Sequence, residues 1–206
     1  MKNLKDIIVE RLHINKDTGN RQYNYHPKTR DELLGLVDKL IKERGNDADL
    51  NDIDTSEITD MNYMFYKSNF NGDISEWDVS NVKNMWSMFG RSKFDGDVSN
   101  WDVSNVEDMG DMFYRSEFTS KNGDISKWDV SNVKDMSSMF EYSKFNGDIS
   151  EWDISNVEQI RHMFYNSSFT GVNGDISKWD VSNVKDMHDM FYRSPLEKNP
   201  PKWYKE

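Results

Sequence analysis

The 206-residue sequence predicts a repeat solenoid that combines short parallel β-strands with short helical turns and begins with an N-terminal capping helix. The first of three supporting observations is an internal period in the tryptophans. Six of them are separated by 24, 27, 24, 27 and 24 residues, so the pattern recurs every 51 residues. A fixed period of this kind is typical of stacked repeats, which bury their apolar sides against one another. The six are Trp77, Trp101, Trp128, Trp152, Trp179 and Trp203.

The second observation is that apolar residues recur in columns, with one member in each repeat. All eleven Phe fall in two columns, and eleven of the twelve Met fall in two others. Other apolar columns run through aliphatic residues and Trp, and in the first full repeat (70–93) their members are Ile74, Trp77, Val79 and Val82. A methionine-rich stripe can form an adaptable binding groove, but a Met at the same place in every repeat is typical of a core. We therefore predict that these columns are buried.

The third observation is a column whose charge alternates from one repeat to the next. Parallel strands about 4.8 Å apart favour this pattern, because like charges directly opposite each other are destabilising. Within the first full repeat, β-branched and aromatic residues favour an extended segment over 74–79, and the apolar spacing predicts a short helical turn over 88–92. The Asn-Gly-Asp sequences predict turns in which Gly supplies a positive φ. The alternating column, called the charge ladder below, consists of Lys83, Glu107, Lys134, Glu158 and Lys185.

The capping helix is predicted over about 30–44. Thr29 and Glu32 form a capping box, and Gly45 stands where a helix C-terminus favours glycine. Between them, apolar residues recur on one face of a helical period. Four apolar residues nearer the N-terminus are expected to pack on this helix: Ile7, Ile8, Leu12 and Ile14.

Three segments follow from these patterns. Residues 1–45 form the N-terminal segment with the capping helix, and residues 46–195 form about six coils of 24 or 27 residues. Residues 196–206 are predicted to be a truncated C-terminal cap. There Leu196 and Trp203 continue the apolar columns, and two prolines remove backbone donors from the exposed edge.

Composition excludes several classes of function. Aromatic residues make up 13% of the chain, too many for a disordered protein, and cysteine is absent, which excludes disulfides and thiolate chemistry. A net charge of -11 argues against a nucleic-acid partner. No apolar run approaches the ~20 residues of a membrane helix, so membrane insertion is not expected. The opening MKNLKDIIVERLHIN lacks the apolar core of a signal peptide.

Two columns of aspartates are the obvious candidates for chemistry. We expect each Asp to cap local amides in its turn, because a catalytic carboxylate pair requires two unequal environments and these recur identically. Calcium binding is the alternative, because stacked carboxylates supply oxygen ligands, although the calcium-binding β-roll motif is absent. One column is Asp73, Asp97, Asp124, Asp148 and Asp175, and the other is Asp54, Asp78, Asp102, Asp129, Asp153 and Asp180.

Other polar residues give no catalytic pattern. A column of Asn led by Asn81 is expected to be a buried ladder that satisfies backbone groups between turns, with a ligand contact as the alternative. The four His have no metal-site spacing, although His162 and His188 fall on neighbouring coils and are expected to lie close together. We predict no enzyme activity, no catalytic residue, no metal site and no cofactor.

Positions that differ between coils are the best candidates for binding. Two slots lie between the Met columns, and two follow the Phe column that includes Phe89. They carry Tyr, Trp, Arg and His, most of them types enriched at interfaces. The alternative is that the Tyr rings only stack on one another as a cross-turn ladder, and stacked rings can also present a platform for carbohydrate. The thirteen residues, called the candidate surface below, are Tyr63, Tyr66, Trp86, Arg91, Tyr114, Arg115, Tyr142, Arg161, His162, Tyr165, His188, Tyr192 and Arg193.

The repeat also resembles a known family. The recurrent WDVSNVxxMxxMF, with FNGDIS between turns, is similar to the BspA-like leucine-rich repeat surface proteins of bacteria, over roughly residues 27–195. The resemblance implies a right-handed, leucine-rich-repeat-like solenoid with non-enzymatic binding, often adhesion at a cell surface. Surface members usually carry an export signal or a lipid-attachment Cys, and this chain has neither. Its location therefore stays open between the cell surface, the cytoplasm and a phage-borne origin.

The function predicted on these grounds is a rigid recognition scaffold for a protein partner. The alternative is a bacterial surface or phage adhesin that binds host glycans or matrix, and a purely structural spacer is a third.

Overall fold

The fold is known from a computed structural model that describes residues 22–205. Residues 1–21 and 206 lie outside the described part, and so does the expected packing of Ile7, Ile8, Leu12 and Ile14. The described chain has one α-helix, α1 (Arg30–Arg44), and one short 3-10 helix, Ile176–Lys178. No β-strand forms within 22–205, where isolated parallel bridges join single residues of adjacent repeats. Five of these bridges form one continuous row through Asp60, Asn84, Asp108, Asp135, Gln159 and Asp186.

Helix α1 confirms the predicted helix and its caps. The Thr29 side chain accepts a hydrogen bond from the Glu32 N–H at 3.3 Å, which satisfies one of the unpaired donors of the first turn. Gly45 ends the helix with φ 94°, a region that favours glycine. The helix belongs to the same core as the repeats, and its buried face consists of Leu33, Val37 and Leu40.

A bidentate ion pair fixes the end of α1 to the first repeat. The Arg44 guanidinium donates to both carboxylate oxygens of Asp52 at 2.9 Å, and the Asn24 Nδ2 donates to the same carboxylate at 2.9 Å. Burial favours the neutral acid, but these bonds hold the pKa of Asp52 below its usual range. Tyr25 then pairs with Ile53 in a parallel bridge. Residues 24–25 and α1 are therefore both attached to the N-terminal end of the stack.

The predicted leucine-rich-repeat-like solenoid of strands and helical turns is wrong. The described residues have no sheet, and β-turns follow one another through each repeat. In 61–68, the N–H groups of Met64, Tyr66 and Ser68 bond to the carbonyl three residues earlier at 3.3, 3.1 and 3.0 Å. These bonds close three overlapping β-turns, and a chain that turns every second residue forms neither a strand nor a helix.

The two segments predicted within the first full repeat are wrong for the same reason. Residues 88–92, predicted as a helical turn, include Arg91 at φ 57°, a left-handed conformation that a right-handed helix excludes. Residues 74–79, predicted as extended, begin with a turn in which the Trp77 N–H bonds to the Ile74 carbonyl at 3.1 Å. The spacing of three that suggested a helix arises from β-turns, which also return a side chain to the same face.

Lateral hydrogen bonds replace the ladder of a sheet. Within 61–68, the residues that do not close a turn point their N–H groups at the next repeat, at 2.8 to 3.0 Å. Backbone donors therefore alternate between bonding within a repeat and bonding between repeats, which satisfies the buried backbone without strands. In the first repeat the donors are Met61, Tyr63, Phe65 and Lys67, and the acceptors are the carbonyls of Asn84, Trp86, Met88 and Gly90.

The predicted apolar columns are confirmed as the core. The Phe rings of one column stack from repeat to repeat, with centroids 5.5 Å apart for Phe65 and Phe89 and 5.9 Å apart for Phe164 and Phe191. The Met and aliphatic columns are buried beside them in one cluster. Burial is weaker only at the C-terminal end, where Met187 packs on the core while partly exposed.

Each core tryptophan also bonds to the preceding repeat. The Trp128 Nε1 donates to the Val98 carbonyl at 3.1 Å, and the Trp203 Nε1 donates to the Ile176 carbonyl at 2.9 Å. The other members of the column make the same bond at 3.0 to 3.2 Å. The indole therefore supplies apolar area and satisfies a carbonyl of the neighbouring turn.

The Asn-Gly-Asp glycines have a different role from the predicted one. Gly72 does not have a positive φ, and within the described residues only Gly45 and Gly171 do among the glycines. A Cβ on Gly72 would lie 2.0 Å from the Ala48 carbonyl oxygen, which belongs to the preceding turn. Glycine is required here because two backbones approach each other closely.

The charge ladder confirms that neighbouring repeats are in register. Glu107 lies 3.7 Å from the Lys83 ammonium and 3.2 Å from that of Lys134, and Glu158 lies 2.5 Å from that of Lys185. The Asn column also links turns, because the Asn81 Nδ2 donates to the Ser56 carbonyl at 2.8 Å. Its predicted burial is wrong, because this column is exposed. Asn105, Asn132, Asn156 and Asn183 make the equivalent bond.

Candidate binding surface

The candidate surface lies on the turn-rich side of the repeats. Its residues occupy the overlapping turns that begin at the first Met column, so they recur at one place in each repeat. Trp86 and Tyr192 are each 37% exposed. Arg91, Arg115, Arg161, His188 and Arg193 are also exposed, and the remaining six members are half-buried.

An unusual backbone positions this surface. Twelve non-glycine residues have φ between 48° and 57°, one in each pair of variable slots. This is the third residue of a β-turn, where Gly or Asn is usual, and other side chains there cost about 1–2 kcal/mol each. The fold thus holds six members of the candidate surface in left-handed conformations. The twelve are Tyr63, Ser87, Asp111, Ser138, His162, Asp189, Lys67, Arg91, Arg115, Tyr142, Asn166 and Arg193.

The tyrosine rings contact one another from repeat to repeat. Ring centroids lie 6.3 Å apart for Tyr114 and Tyr142, 5.5 Å for Tyr142 and Tyr165, and 5.1 Å for Tyr165 and Tyr192. The row is interrupted near its N-terminal end, where Gly90 stands in place of a tyrosine. A Cβ on Gly90 would lie 3.0 Å from the Tyr66 ring. Most of the row is therefore the cross-turn ladder described as the alternative.

Arginines lie over these rings. The Arg115 guanidinium carbon is 4.3 Å from the Tyr142 centroid and 5.3 Å from that of Tyr114, and Arg91 is 5.5 Å from the Tyr114 centroid. Arg193 lies 5.3 Å from the centre of Tyr192. Such cation–π contacts orient a planar guanidinium and leave its N–H edge available to a ligand.

An acidic cluster lies beside the middle repeats. Burial, together with the nearby carboxylates of Glu141, Asp135 and Asp108, raises the pKa of Asp111 to about 6. Burial also raises the pKa of Asp108. The sequence missed this cluster, although Asp111 occupies one of the variable slots.

The two histidines of the surface lie close together, as predicted. Their ring centroids are 6.2 Å apart, and Asp189 lies between them. Its carboxylate is 3.3 Å from the His188 Nε2 and 3.9 Å from the His162 Nε2.

The aspartate columns cap their turns, as predicted. Every one of the eleven accepts a hydrogen bond from the backbone N–H of the Ser two residues later, at 2.8 to 3.1 Å. Bonds from Ser104 and Ser155 hold the pKa values of Asp102 and Asp153 below their usual range. Over residues 22–205, no three His, Asp or Glu side chains form a group that could hold a metal ion.

These features define a class of protein built from laterally bonded, turn-rich repeats with one aromatic and basic side. A family model described as "Mycoplasma protein of unknown function, DUF285" matches residues 37–140 and 116–203. The chain therefore belongs to this family of repeat proteins. No curated protein and no solved structure matches it. No helix in the described part of the chain has the length and apolar character of a membrane span.

Proposed function

We propose that this protein is a non-enzymatic recognition scaffold that binds a protein partner through the candidate surface. One observation carries the proposal: every Tyr and every Arg of residues 46–195 lies on that surface. Tyr and Arg are among the residues that contribute most to binding at protein interfaces. A row of rings built only for packing does not need the exposed arginines as well.

The backbone of this side supports the same proposal. Its N–H groups bond laterally whichever side chain occupies the slot, as Tyr63, Asp111 and His162 illustrate. The side chains can therefore differ between repeats while the frame stays the same, and such a preorganised surface loses little entropy on binding. The finer relationship to BspA-like surface proteins, suggested by the WDVSNVxxMxxMF repeat, belongs to this proposal too.

The test compares three immobilised forms of the chain. The first is unchanged, the second carries Tyr114→Ala with Tyr142→Ala, and the third is a control with Lys83→Ala and Lys134→Ala in the exposed charge ladder. Proteins retained from cell and host extracts are quantified by mass spectrometry after melting curves show that all three are folded. We expect a protein that the unchanged chain and the control retain and the tyrosine variant loses. Identical retention by all three forms would contradict the proposal.

The second candidate function is adhesion to glycans or matrix. The continuous row of rings through Tyr142, Tyr165 and Tyr192 favours it, because sugars stack on aromatic faces. A glycan array probed with the labelled chain and the same tyrosine variant separates the two functions. A glycan bound by the chain and lost in the variant favours adhesion, and a uniformly negative array rejects it.

A further inference from the structure

Three consecutive repeats place cations at one slot. The three are Lys67, Arg91 and Arg115, called the cation column below. Each lies two residues after a Phe of the column that includes Phe89. Their backbones are joined laterally, with the Lys67 N–H bonded to the Gly90 carbonyl at 2.8 Å and the Arg91 N–H to the Tyr114 carbonyl at 2.6 Å. Laterally paired chains lie about 4.8 Å apart, so the three residues are neighbours in the stack.

This arrangement differs from that of the columns in which Lys and Glu share a slot. The charge ladder alternates in sign, and a second ladder does the same, with Glu117 placed between Lys93 and Lys144. Alternation is the stable pattern, because like charges on adjacent turns repel each other. The cation column keeps one sign over three repeats. The aspartate columns do so too, but their carboxylates accept hydrogen bonds from the serine N–H groups of their own turns.

No carboxylate of the described chain neutralises the column. Arg30 and Arg44, the first and last residues of α1, form ion pairs with Asp31 and Asp52. By contrast, neither of the column's arginines, nor Lys67, forms an ion pair within residues 22–205. Each lies instead over a tyrosine ring, and all three have left-handed backbones, with φ of 57°, 57° and 52°.

We propose that the cation column binds a cluster of carboxylates on an acidic segment of a protein partner. This inference rests on the proposed function and names the chemistry of the partner. Guanidinium groups bind carboxylates through two parallel hydrogen bonds, and the tyrosine contacts already orient Arg91 and Arg115 for this. The binding of two or three carboxylates would remove the repulsion within the column.

The short length of the cation column favours a compact acidic segment over a long polyanion. The column spans three repeats, and the same slot then continues with the neutral Tyr142 and Asn166. Glu141 lies beside it, and the chain as a whole has a net charge of -11. A nucleic acid or a sulfated polysaccharide would extend beyond the three cations and pass Glu141 and two neutral slots before it reached Arg193, so most of its charges would have no partner.

The test uses fluorescein-labelled hexaglutamate and hexaglutamine with the purified chain, followed by anisotropy at low and at physiological salt. Arg91→Glu restores alternating charge, and Arg115→Gln removes one charge at similar side-chain length. Lys121→Glu is the control, because it makes the same charge change at an exposed position outside the surface. We expect binding of hexaglutamate only, weakened at least about tenfold by either arginine variant and unchanged in the control. Melting curves of the variants complete the experiment.

The stability measurement separates binding from structure. We expect Arg91→Glu to lose binding of hexaglutamate without a lower melting temperature, because it replaces the middle one of three like charges on neighbouring turns. A lower melting temperature in that variant would show that Arg91 is structural and would overturn the inference. So would equal binding by all forms, no binding of hexaglutamate, or tighter binding of oligothymidylate or a heparin hexasaccharide. If extract proteins depend on Tyr114 and Tyr142 but not on Arg91, the proposed function stands and this inference fails.

Discussion

Asp111 illustrates how a single residue can oppose the fold at neutral pH. The native environment raises its pKa to about 6, whereas the unfolded chain has the ordinary value of 3.8. Between these values the native state holds a proton that the unfolded state has released, so stability falls as the pH rises from about 4 to about 6. Above pH 6, the ionised carboxylate is a constant cost.

Asp111→Asn should therefore stabilise the protein at pH 7.5 and have little effect at pH 4. We expect a gain in the free energy of unfolding of about 1–2 kcal/mol at the higher pH, with part of the shift discounted for solvent screening. Asn also tolerates the φ of 55° at this position. Urea denaturation at both pH values measures the effect. An equal change at the two pH values would mean that the charge of Asp111 is not its cause.

Glu107 tests the charge ladder one residue at a time. Glu107→Lys places three like charges together where the native ladder alternates, so the melting temperature should fall on the order of 1–3 °C at low salt. The loss should shrink as salt is added, because exposed charges are screened. Thermal melts at two salt concentrations measure this, and a loss independent of salt would indicate a packing effect instead.

At the scale of elements, the sequence predicted the helix and the core but not the path of the chain between them. The caps of α1 and the buried columns follow from residue type and spacing, which act locally or recur in every repeat. The turns of 61–68 could not be read this way, because positive φ at Tyr63 and Lys67 is imposed by lateral bonds, and neither residue is of a type that favours it. The candidate surface was found from variation between repeats, whereas its acidic cluster depends on burial, which no pattern of charges reveals.

The tryptophan column offers a comparison between an interior and a terminal turn. Trp128 is 4% exposed between two repeats, so Trp128→Ala should cost roughly 3–5 kcal/mol, mainly through the cavity that it leaves. The Val98 carbonyl would lose the indole bond but keep the one from the Trp101 N–H. Trp203 makes the same bond at the edge of the stack while only partly buried, so Trp203→Ala should cost clearly less. Chemical denaturation of both variants measures the difference. Equal losses would contradict the nearest-neighbour character of the stack.

At the scale of the whole molecule, the aspartates that cap their turns predict that divalent cations have no specific effect on the melting temperature. A chelator should leave the melting temperature unchanged, and sodium should stabilise the protein nearly as well as calcium at matched ionic strength, because both only screen repulsion among carboxylates. Saturated calcium sites would instead add about 2.7 kcal/mol, a rise of very roughly 5–11 °C for a chain of this size. Melting curves with calcium, sodium and chelator distinguish these cases, and a calcium-specific rise would make the aspartate columns metal ligands.

The direction of the tryptophan bonds has a consequence for synthesis on the ribosome. Each indole donates to a repeat nearer the N-terminus, which has already been made when that tryptophan appears. At about 5–20 residues per second, one repeat emerges every few seconds, and the carbonyl that accepts its indole hydrogen bond has already been synthesised. The stack can therefore grow one repeat at a time behind α1, and an exposed apolar edge exists only at the growing end.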